Sequence, residues 1–360
     1  MAPTTLRPPL APPAAGTRVA SLDALRVLAV CGVVAIHLFG LIVVAPDLRG
    51  TPTWWAGAAL DLGFVWVVPV FVMISGVLTL DPRAHSRGVA AFYARRAKKI
   101  VPALVAWHLI YLFVVRAFLR GEELTAAGVT RMLLDAKVFT ALYFLWLVLG
   151  LYAVAPVLAA FLSGGGPRRA RVLAATLLGW TAVAFLLPGL AESLGLARPL
   201  SLGVWTMWWP YVGYFVLGWA VRDVLLTRRA TLWTGLAALV LAAEIVWQYG
   251  TAAPGSLLAL VSPVSYLGPA VMALSLAVFL VGRSALRHLR PSPWLTRLSD
   301  ASFGVFLMHL LVFETIKRLA PWLADAHAPL LLGCTYLMVL ALSFGASIAL
   351  SRVPYLRALV

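Results

Sequence analysis

The chain has 360 residues, of which 62% are hydrophobic and only 12% are charged, and its formal net charge is +16. Soluble domains contain about 25% charged residues, so this composition excludes an ordinary soluble enzyme. It predicts an all-α, polytopic transmembrane helix bundle, in which each helix satisfies its own backbone hydrogen bonds. The basic residues lie in short clusters between apolar runs, a pattern that indicates orientation in a bilayer and excludes nucleic acid as a partner.

The first nineteen residues are rich in Pro and Ala and contain almost no large apolar side chains. They predict a disordered cytoplasmic tail, residues 1–19, ahead of a membrane-embedded domain over residues 20–355. Ten apolar stretches follow, over residues 22–45, 54–80, 101–119, 138–162, 171–190, 204–225, 231–250, 256–282, 300–317 and 329–350.

The distribution of Lys and Arg supports ten spans with both termini in the cytoplasm. With the N-terminus inside, 21 of the 29 basic residues fall in inside segments and 8 in outside segments, in agreement with the cytoplasmic bias of basic loops. The segment 120–137 mixes both charge signs and predicts a short helix at the outer surface. Ala-, Arg- and Leu-rich usage is typical of a high-GC bacterial gene, so we expect the bacterial cytoplasmic membrane.

The first span carries the most informative pair of residues. Residues 27–45 contain one ionisable side chain, His37, and a polar group at mid-bilayer is a functional hypothesis by default. Arg26 lies eleven residues earlier, which places the two side chains about 16.5 Å apart along the helix and within ~20° in azimuth. Asp23 either pairs with Arg26 one turn away or is a first-turn acid behind Ser21 as N-cap.

A basic cluster stands just before the third span. Ordinary positive-inside anchoring explains such a cluster, but guanidinium and ammonium groups also suit a phosphate-binding site. Both interpretations stay open for its four members, Arg95, Arg96, Lys98 and Lys99.

Further polar groups occur inside the apolar stretches. Pro69 predicts a kink in the second span, and Ser75–Gly76 predicts close approach to a neighbouring helix. His309 lies mid-membrane in the ninth span, and Glu314 and Glu244 lie near the outer ends of their spans. Together these predict a polar cavity that opens outward. The two cysteines show no disulfide or metal-ligand spacing, so no metal is expected.

Six stretches in order resemble the acyltransferase-3 family of integral-membrane acyltransferases. They are "SLDALRVLAVCGVVAIH" with its arginine, ten residues, histidine spacing, "PVFVMISGVLTL", "FYARRAKKIVPA", "YFLWLVLGLYAVAPVL", "YVGYFVLGWAV" and "SDASFGVFLMH". Two positions depart from the family pattern: Arg96-Ala97-Lys98 replaces its Arg-x-Arg, and Phe306 stands where tyrosine is frequent.

The resemblance implies a ten-helix domain that transfers an acyl group, usually acetyl from acetyl-coenzyme A, to a hydroxyl of a sugar or similar acceptor. It implies His37 as the catalytic histidine, Arg26 as its partner near the acyl donor, and Arg95, Arg96 and Lys98 as ligands of the coenzyme phosphates. We add Asp23 and Lys99 to these sites, with Ser75, His309 and Glu314 as further candidates. Transfer is expected to finish within the membrane domain.

A histidine without a nearby nucleophile suits general-base catalysis, in which His37 takes the proton of an acceptor hydroxyl. The acceptor is then a carbohydrate or a glycosylated, secreted metabolite. The alternative from another class is a proton-coupled secondary transporter or exporter of a glycan or small metabolite, with His37, His309, Glu244 and Glu314 as the proton relay. Nothing in the sequence specifies an oligomeric state.

Overall fold

A computed structural model describes residues 18–196, 200–253 and 256–360, so residues 1–17 of the predicted tail lie outside the described residues. The described part is helical and contains no strand. Its α-helices, in chain order, are α1 Ala20–Val44, α2 Pro52–Leu62, α3 Val67–Thr79, α4 Val89–Leu109, α5 Ala126–Leu134, α6 Tyr143–Ser163, α7 Gly166–Ser193, α8 Val212–Ala220, α9 Arg228–Thr251, α10 Leu257–Val261, α11 Pro269–Ala285, α12 Pro293–Leu319 and α13 Pro329–Ser351.

The chain is an all-α polytopic bundle, as predicted. Eight helical segments in the described residues are long and apolar enough to cross a membrane, and each matches a predicted span. The predicted sixth and eighth spans contain shorter helices, α8 and α11. Pro210, which has no backbone N–H, lies in a short 3-10 helix, Trp209–Tyr211, just before α8, and residues 204–208 ahead of it form turns. The short outer helix predicted within 120–137 is α5.

The second span is broken into α2 and α3. Residues 63–66 form turns between them, and Pro69 lies in the first turn of α3. In a helix, a proline ring clashes with the backbone carbonyl of the residue four positions earlier, so the helix is interrupted just before Pro69. The predicted kink is therefore confirmed. The third span is also irregular, because α4 continues as a π-helical segment, Ile110–Leu119.

Glycines let α3 and α8 pack with their backbones in contact. A Cβ on Gly76 would overlap the carbonyl oxygen of Phe215, and a Cβ on Gly218 would overlap that of Met73. Close packing of small residues is a main source of helix association in lipid, where apolar burial between helices gains little. This crossing confirms the close approach predicted at Ser75–Gly76, and it fixes α3 beside the functional site.

At the end of the bundle where α1 finishes, an ion-paired histidine joins two loops. His327 Nε2 lies 2.6 Å from Asp47 Oδ2, and its Nδ1 lies 3.1 Å from Asp325 Oδ1. Asp47 follows α1, and the other two residues precede α13. The hydrogen bond to Asp47, followed by that to Asp325, raises the pKa of His327 above its ordinary value. The protonated imidazole donates to both carboxylates and holds the loops together.

Candidate functional site

A polar cluster joins the start of α1 to α12. The Ser299 hydroxyl donates to Asp23 Oδ1 at 2.7 Å and accepts from Arg26 Nη1 at 3.1 Å. Arg18 pairs with Asp23 Oδ2 at 2.6 Å and with Asp300 Oδ1 at 2.7 Å. Ser299 thus aligns Arg26 through charge-assisted hydrogen bonds.

These contacts decide between the two interpretations of Asp23. Its carboxylate lies 3.9 Å from Arg26, so the predicted pair exists, although Ser299 and Arg18 are nearer partners. The N-cap of α1 is Val19 and not Ser21. The Ser21 hydroxyl is already engaged, because it accepts from Arg283 Nη1 at 3.1 Å. Asp23 is thus both an acid in the first turn of α1 and the buried carboxylate of this network, but Ser21 does not cap the helix ahead of it.

The Arg26 side chain lines a cavity of about 310 Å³, which we call the Arg26 cavity. Its walls come from α1, α3, α4, α6 and α12, and its cations are Arg26, Arg96 and Lys99. The wall also holds Asp300, three hydroxyl side chains of serines, and several aromatic rings. A pocket with one cationic end and apolar walls suits a ligand with an anionic head and an apolar tail.

The basic cluster on α4 divides between two faces. Arg96 and Lys99, three residues apart, line the Arg26 cavity, with Arg96 4.8 Å from the centre of the Tyr152 ring. Arg95 and Lys98, one position earlier, are exposed and do not line it. Arg95 instead donates to the carbonyl of Ala84 at 2.6 Å. Of the four predicted phosphate ligands, two reach the cavity.

Ser75 also lines the Arg26 cavity, and its Oγ is buried without a hydrogen-bond partner. An unpaired buried hydroxyl is unfavourable by about 1–3 kcal/mol, so its persistence marks a position where a ligand can supply the partner.

Eleven residues after Arg26 on α1, the His37 ring packs against the His309 ring of α12. The ring centres are 5.2 Å apart, with the planes inclined by 31°. His309 is fully buried, and its Nδ1 lies 2.8 Å from the Phe306 carbonyl and 3.1 Å from that of Val305. Since both neighbours are acceptors, the proton of His309 resides on Nδ1. Its Nε2 is then a bare acceptor, buried without a partner.

His37 lines a second cavity, of about 670 Å³, which we call the His37 cavity. Glu314 lies in its wall and pairs with Arg120 at 2.8 Å and Lys317 at 3.4 Å. Arg116, paired with Glu122, and Lys137 also line it. Of the three residues predicted to form an outward polar cavity, only Glu314 lines this one, together with His37; His309 lies behind His37 and does not line it.

Three phenyl rings pack together in the wall of the Arg26 cavity, and we call them the phenyl partition: Phe71 of α3, Phe144 of α6 and Phe306 of α12. Their ring centres are 5.0–6.5 Å apart, and all three line the Arg26 cavity. Phe306 lies 6.2 Å from the His309 ring, which in turn contacts His37. Arg26 and His37 therefore share the α12 side of α1 but line different cavities.

Two further polar residues of the bundle, Glu244 and His108, lie outside both cavities. Glu244 lines neither cavity, and its Oε2 is buried in α9 without a partner. It does not join Glu314 as predicted, because the two helices belong to different parts of the bundle. His108 is a structural residue: its Nδ1 bonds the Leu104 carbonyl at 2.7 Å, and Trp146 donates to its Nε2 at 3.0 Å.

Sequence reasoning missed Ser299, Arg18 and the phenyl partition. Ser299 had a signal, since it opens the stretch "SDASFGVFLMH" and lies ten residues before His309. That spacing nearly equals the Arg26–His37 spacing, so two parallel helices in register bring both pairs together. The partition had no such signal, because its rings come from three separate helices.

The comparisons with known proteins agree with this architecture. The sequence profile of the acyltransferase-3 family, described as an acyltransferase domain, matches residues 19–352. Searches of curated proteins and of solved structures find no match. Since the profile covers nearly the whole chain, including both cavities and the helices that form them, the chain belongs to the acyltransferase-3 family and is an integral-membrane O-acyltransferase.

Proposed function

We propose that the protein transfers an acetyl group from cytoplasmic acetyl-coenzyme A to a hydroxyl of a carbohydrate or glycosylated metabolite, at a bacterial cytoplasmic membrane. The observation that carries this proposal is the pair of cavities at opposite ends of the α1–α12 contact. One holds three cations beside apolar walls, and the other holds a histidine in a polar, open setting. The two cavities suit two different substrates.

The donor belongs in the Arg26 cavity. Coenzyme A is anionic at its nucleotide end and ends in a slender arm with the thioester. Arg96 and Lys99 bind phosphate oxygens at the mouth, and Arg26, held by Ser299, binds deeper along the arm. A volume of about 310 Å³ is at the small end of ligand pockets, so the arm fills the cavity and the nucleotide stays at the surface. There the exposed Arg95 and Lys98 are available to it.

The acceptor belongs in the His37 cavity, which is about twice as large and is lined by polar side chains suited to sugar hydroxyls. His37 takes the proton of the attacking hydroxyl as its oxygen bonds to the thioester carbonyl carbon. The carbon–sulfur bond then breaks, and the thiolate accepts the proton from the imidazolium. The products are the ester and the free thiol, so atoms and charges balance. A positioned general base contributes about 10²–10⁴-fold to such a reaction.

His309 supports His37 in this scheme. Its ring packs against His37, while two backbone carbonyls fix its own orientation. The unpaired Nε2 accepts an N–H from His37 when that ring turns, so it favours the imidazolium that forms during transfer. His309 is thus a positioning residue rather than the base.

The experiment uses purified protein in nanodiscs with radiolabelled acetyl-coenzyme A and a pool of glycans and glycosylated metabolites. We expect label to reach an acceptor with the wild type and with His108→Gln, a matched control for another histidine inside the bundle. His37→Ala should reduce transfer by at least about 100-fold. Equal transfer by His37→Ala and wild type would contradict the role of His37. Failure of the wild type to bind or consume the thioester would contradict the proposal as a whole.

A further inference from the structure

The phenyl partition connects the wall of the Arg26 cavity to His309. The partly exposed Arg96, the exposed Lys99, the buried Ser75 hydroxyl and the rings of Phe71, Phe144 and Phe306 all line this one cavity. Beyond Phe306 lies His309, which is fully buried. No described side chain of the His37 cavity also lines the Arg26 cavity.

We propose that the phenyl partition is the specificity determinant for the acyl group, and that it restricts transfer to acetyl-sized chains. This inference rests on the proposed donor site. A thioester anchored by its phosphates at the mouth directs its acyl group at the three rings. A longer chain must displace them, because protein interiors are close-packed and do not yield by a methylene without strain.

Phe306 is central to this restriction. It contacts Phe71, Phe144 and His309, with ring centres 6.5, 5.0 and 6.2 Å apart. Its side chain carries no hydroxyl, so all three rings present only carbon to the acyl group. The Phe306 backbone carbonyl holds His309 Nδ1 at 2.8 Å. Since that bond uses the backbone, a smaller side chain enlarges the acyl end of the cavity without removing the partner of His309.

The partition also explains how the acyl group meets His37. The phenyl rings and His309 separate the acyl end of the Arg26 cavity from the His37 ring. The thioester carbonyl therefore reaches the acceptor only when the rings part around it. A methyl group needs a small displacement of the rings, whereas a chain of several methylenes needs the cluster to open.

The test measures the affinity of acetyl-, butyryl- and hexanoyl-coenzyme A for the protein in nanodiscs, with binding to empty nanodiscs subtracted. Binding needs no acceptor, so the readout is independent of its identity. The variants are Phe306→Ala and, as a second route to the same enlargement, Phe144→Ala. Phe303→Leu is the matched control, because Phe303 lines the same cavity one turn earlier on α12, beneath Lys99.

For the wild type we expect affinity to fall at least about tenfold from acetyl to hexanoyl, since one methylene too many in a fitted pocket weakens recognition by about 10–200-fold. The ratio of acetyl- to hexanoyl-coenzyme A affinity should fall below about threefold in Phe306→Ala or Phe144→Ala, measured on whichever variant is monodisperse. The same ratio should stay near the wild-type value in Phe303→Leu.

Two results would overturn the inference. Wild-type affinity could instead rise by about fourfold per methylene, the value for simple apolar burial. The acyl end of the Arg26 cavity would then be open, and the phenyl partition would not discriminate between acyl chain lengths. The same holds if both enlarged variants fold and retain the wild-type ratio. In these cases the donor site itself stands, because the thioesters bind. Absence of binding by any thioester to the wild type is the distinct outcome that removes the proposed function, and the inference with it.

Discussion

Ser299→Ala removes the hydroxyl that links the two charged residues of α1 to α12. The hydroxyl makes two hydrogen bonds, at 2.7 Å to Asp23 and 3.1 Å to Arg26, and each hydrogen bond to a charged group contributes about 1.5–3 kcal/mol. Asp23 keeps Arg18 as a partner, whereas Arg26 keeps, among the described residues, the Asp23 carboxylate 3.9 Å away as its one ion-pair partner. We therefore expect a loss of about 1.5–3 kcal/mol in the free energy of unfolding rather than the sum of both bonds.

The same substitution has a functional consequence at the proposed donor site. Arg26 without Ser299 loses its fixed orientation, so KM for acetyl-coenzyme A should rise about tenfold, equivalent to about 1.4 kcal/mol, with kcat changed less. Ser302→Ala is the matched control: Ser302 lines the same cavity on α12, but its hydroxyl bonds only its own helix, at the Leu298 carbonyl.

Stability is measured by unfolding in mixed micelles with tryptophan fluorescence, and KM by thioester consumption. If Ser299→Ala and Ser302→Ala lose equal stability, the reasoning about the α1–α12 link is wrong. If stability falls but KM for the donor does not change, the link is structural and Arg26 does not bind the donor.

Three further predictions concern other parts of the molecule. Gly76→Ala should abolish the folded bundle, because the added Cβ overlaps a backbone carbonyl. Gly345→Ala on α13, where a Cβ has no neighbour within 4 Å, should be tolerated. Size-exclusion profiles of the two purified variants distinguish folded from unfolded protein. Arg96→Ala should raise KM for the donor more than Arg95→Ala does, since only Arg96 lines the cavity; equal effects would contradict the division of the cluster. His327→Gln should lower thermal stability in mildly acidic buffer but not in alkaline buffer. The raised pKa of His327 means that its protonated form stabilises the fold below the pKa of the unfolded state, and this gain is lost as pH rises through the pKa of the folded state. A stability difference that persists in alkaline buffer would refute this prediction.

Much of the fold follows from hydropathy and charge. The long apolar stretches and the positions of Arg26 and His37 on one face of α1 could be read from residue spacing alone, and the contacts with Ser299 and His309 on α12 agree with that face. The sequence did not indicate that the α-helix of the sixth span covers only Val212–Ala220, because apolar turns and apolar helices have similar hydropathy.

The site was predictable in its residue types and less so in its arrangement. Helical spacing pairs Arg95 with Lys98 and Arg96 with Lys99, but only the packing of α4 against α6 and α12 decides which pair faces the cavity. The shared face of Arg26 and His37 on α1 suggests a straight path between the two side chains. The phenyl partition interrupts that path, and its three rings come from helices whose contacts no local pattern specifies.

The central claim is that donor and base occupy separate cavities, so the most direct test compares donor binding with transfer in one variant, His37→Ala. We expect it to bind acetyl-coenzyme A with wild-type affinity, because His37 does not line the Arg26 cavity, while transfer of the acetyl group to an acceptor is lost. Loss of donor binding in His37→Ala, or wild-type transfer by it, would contradict the account.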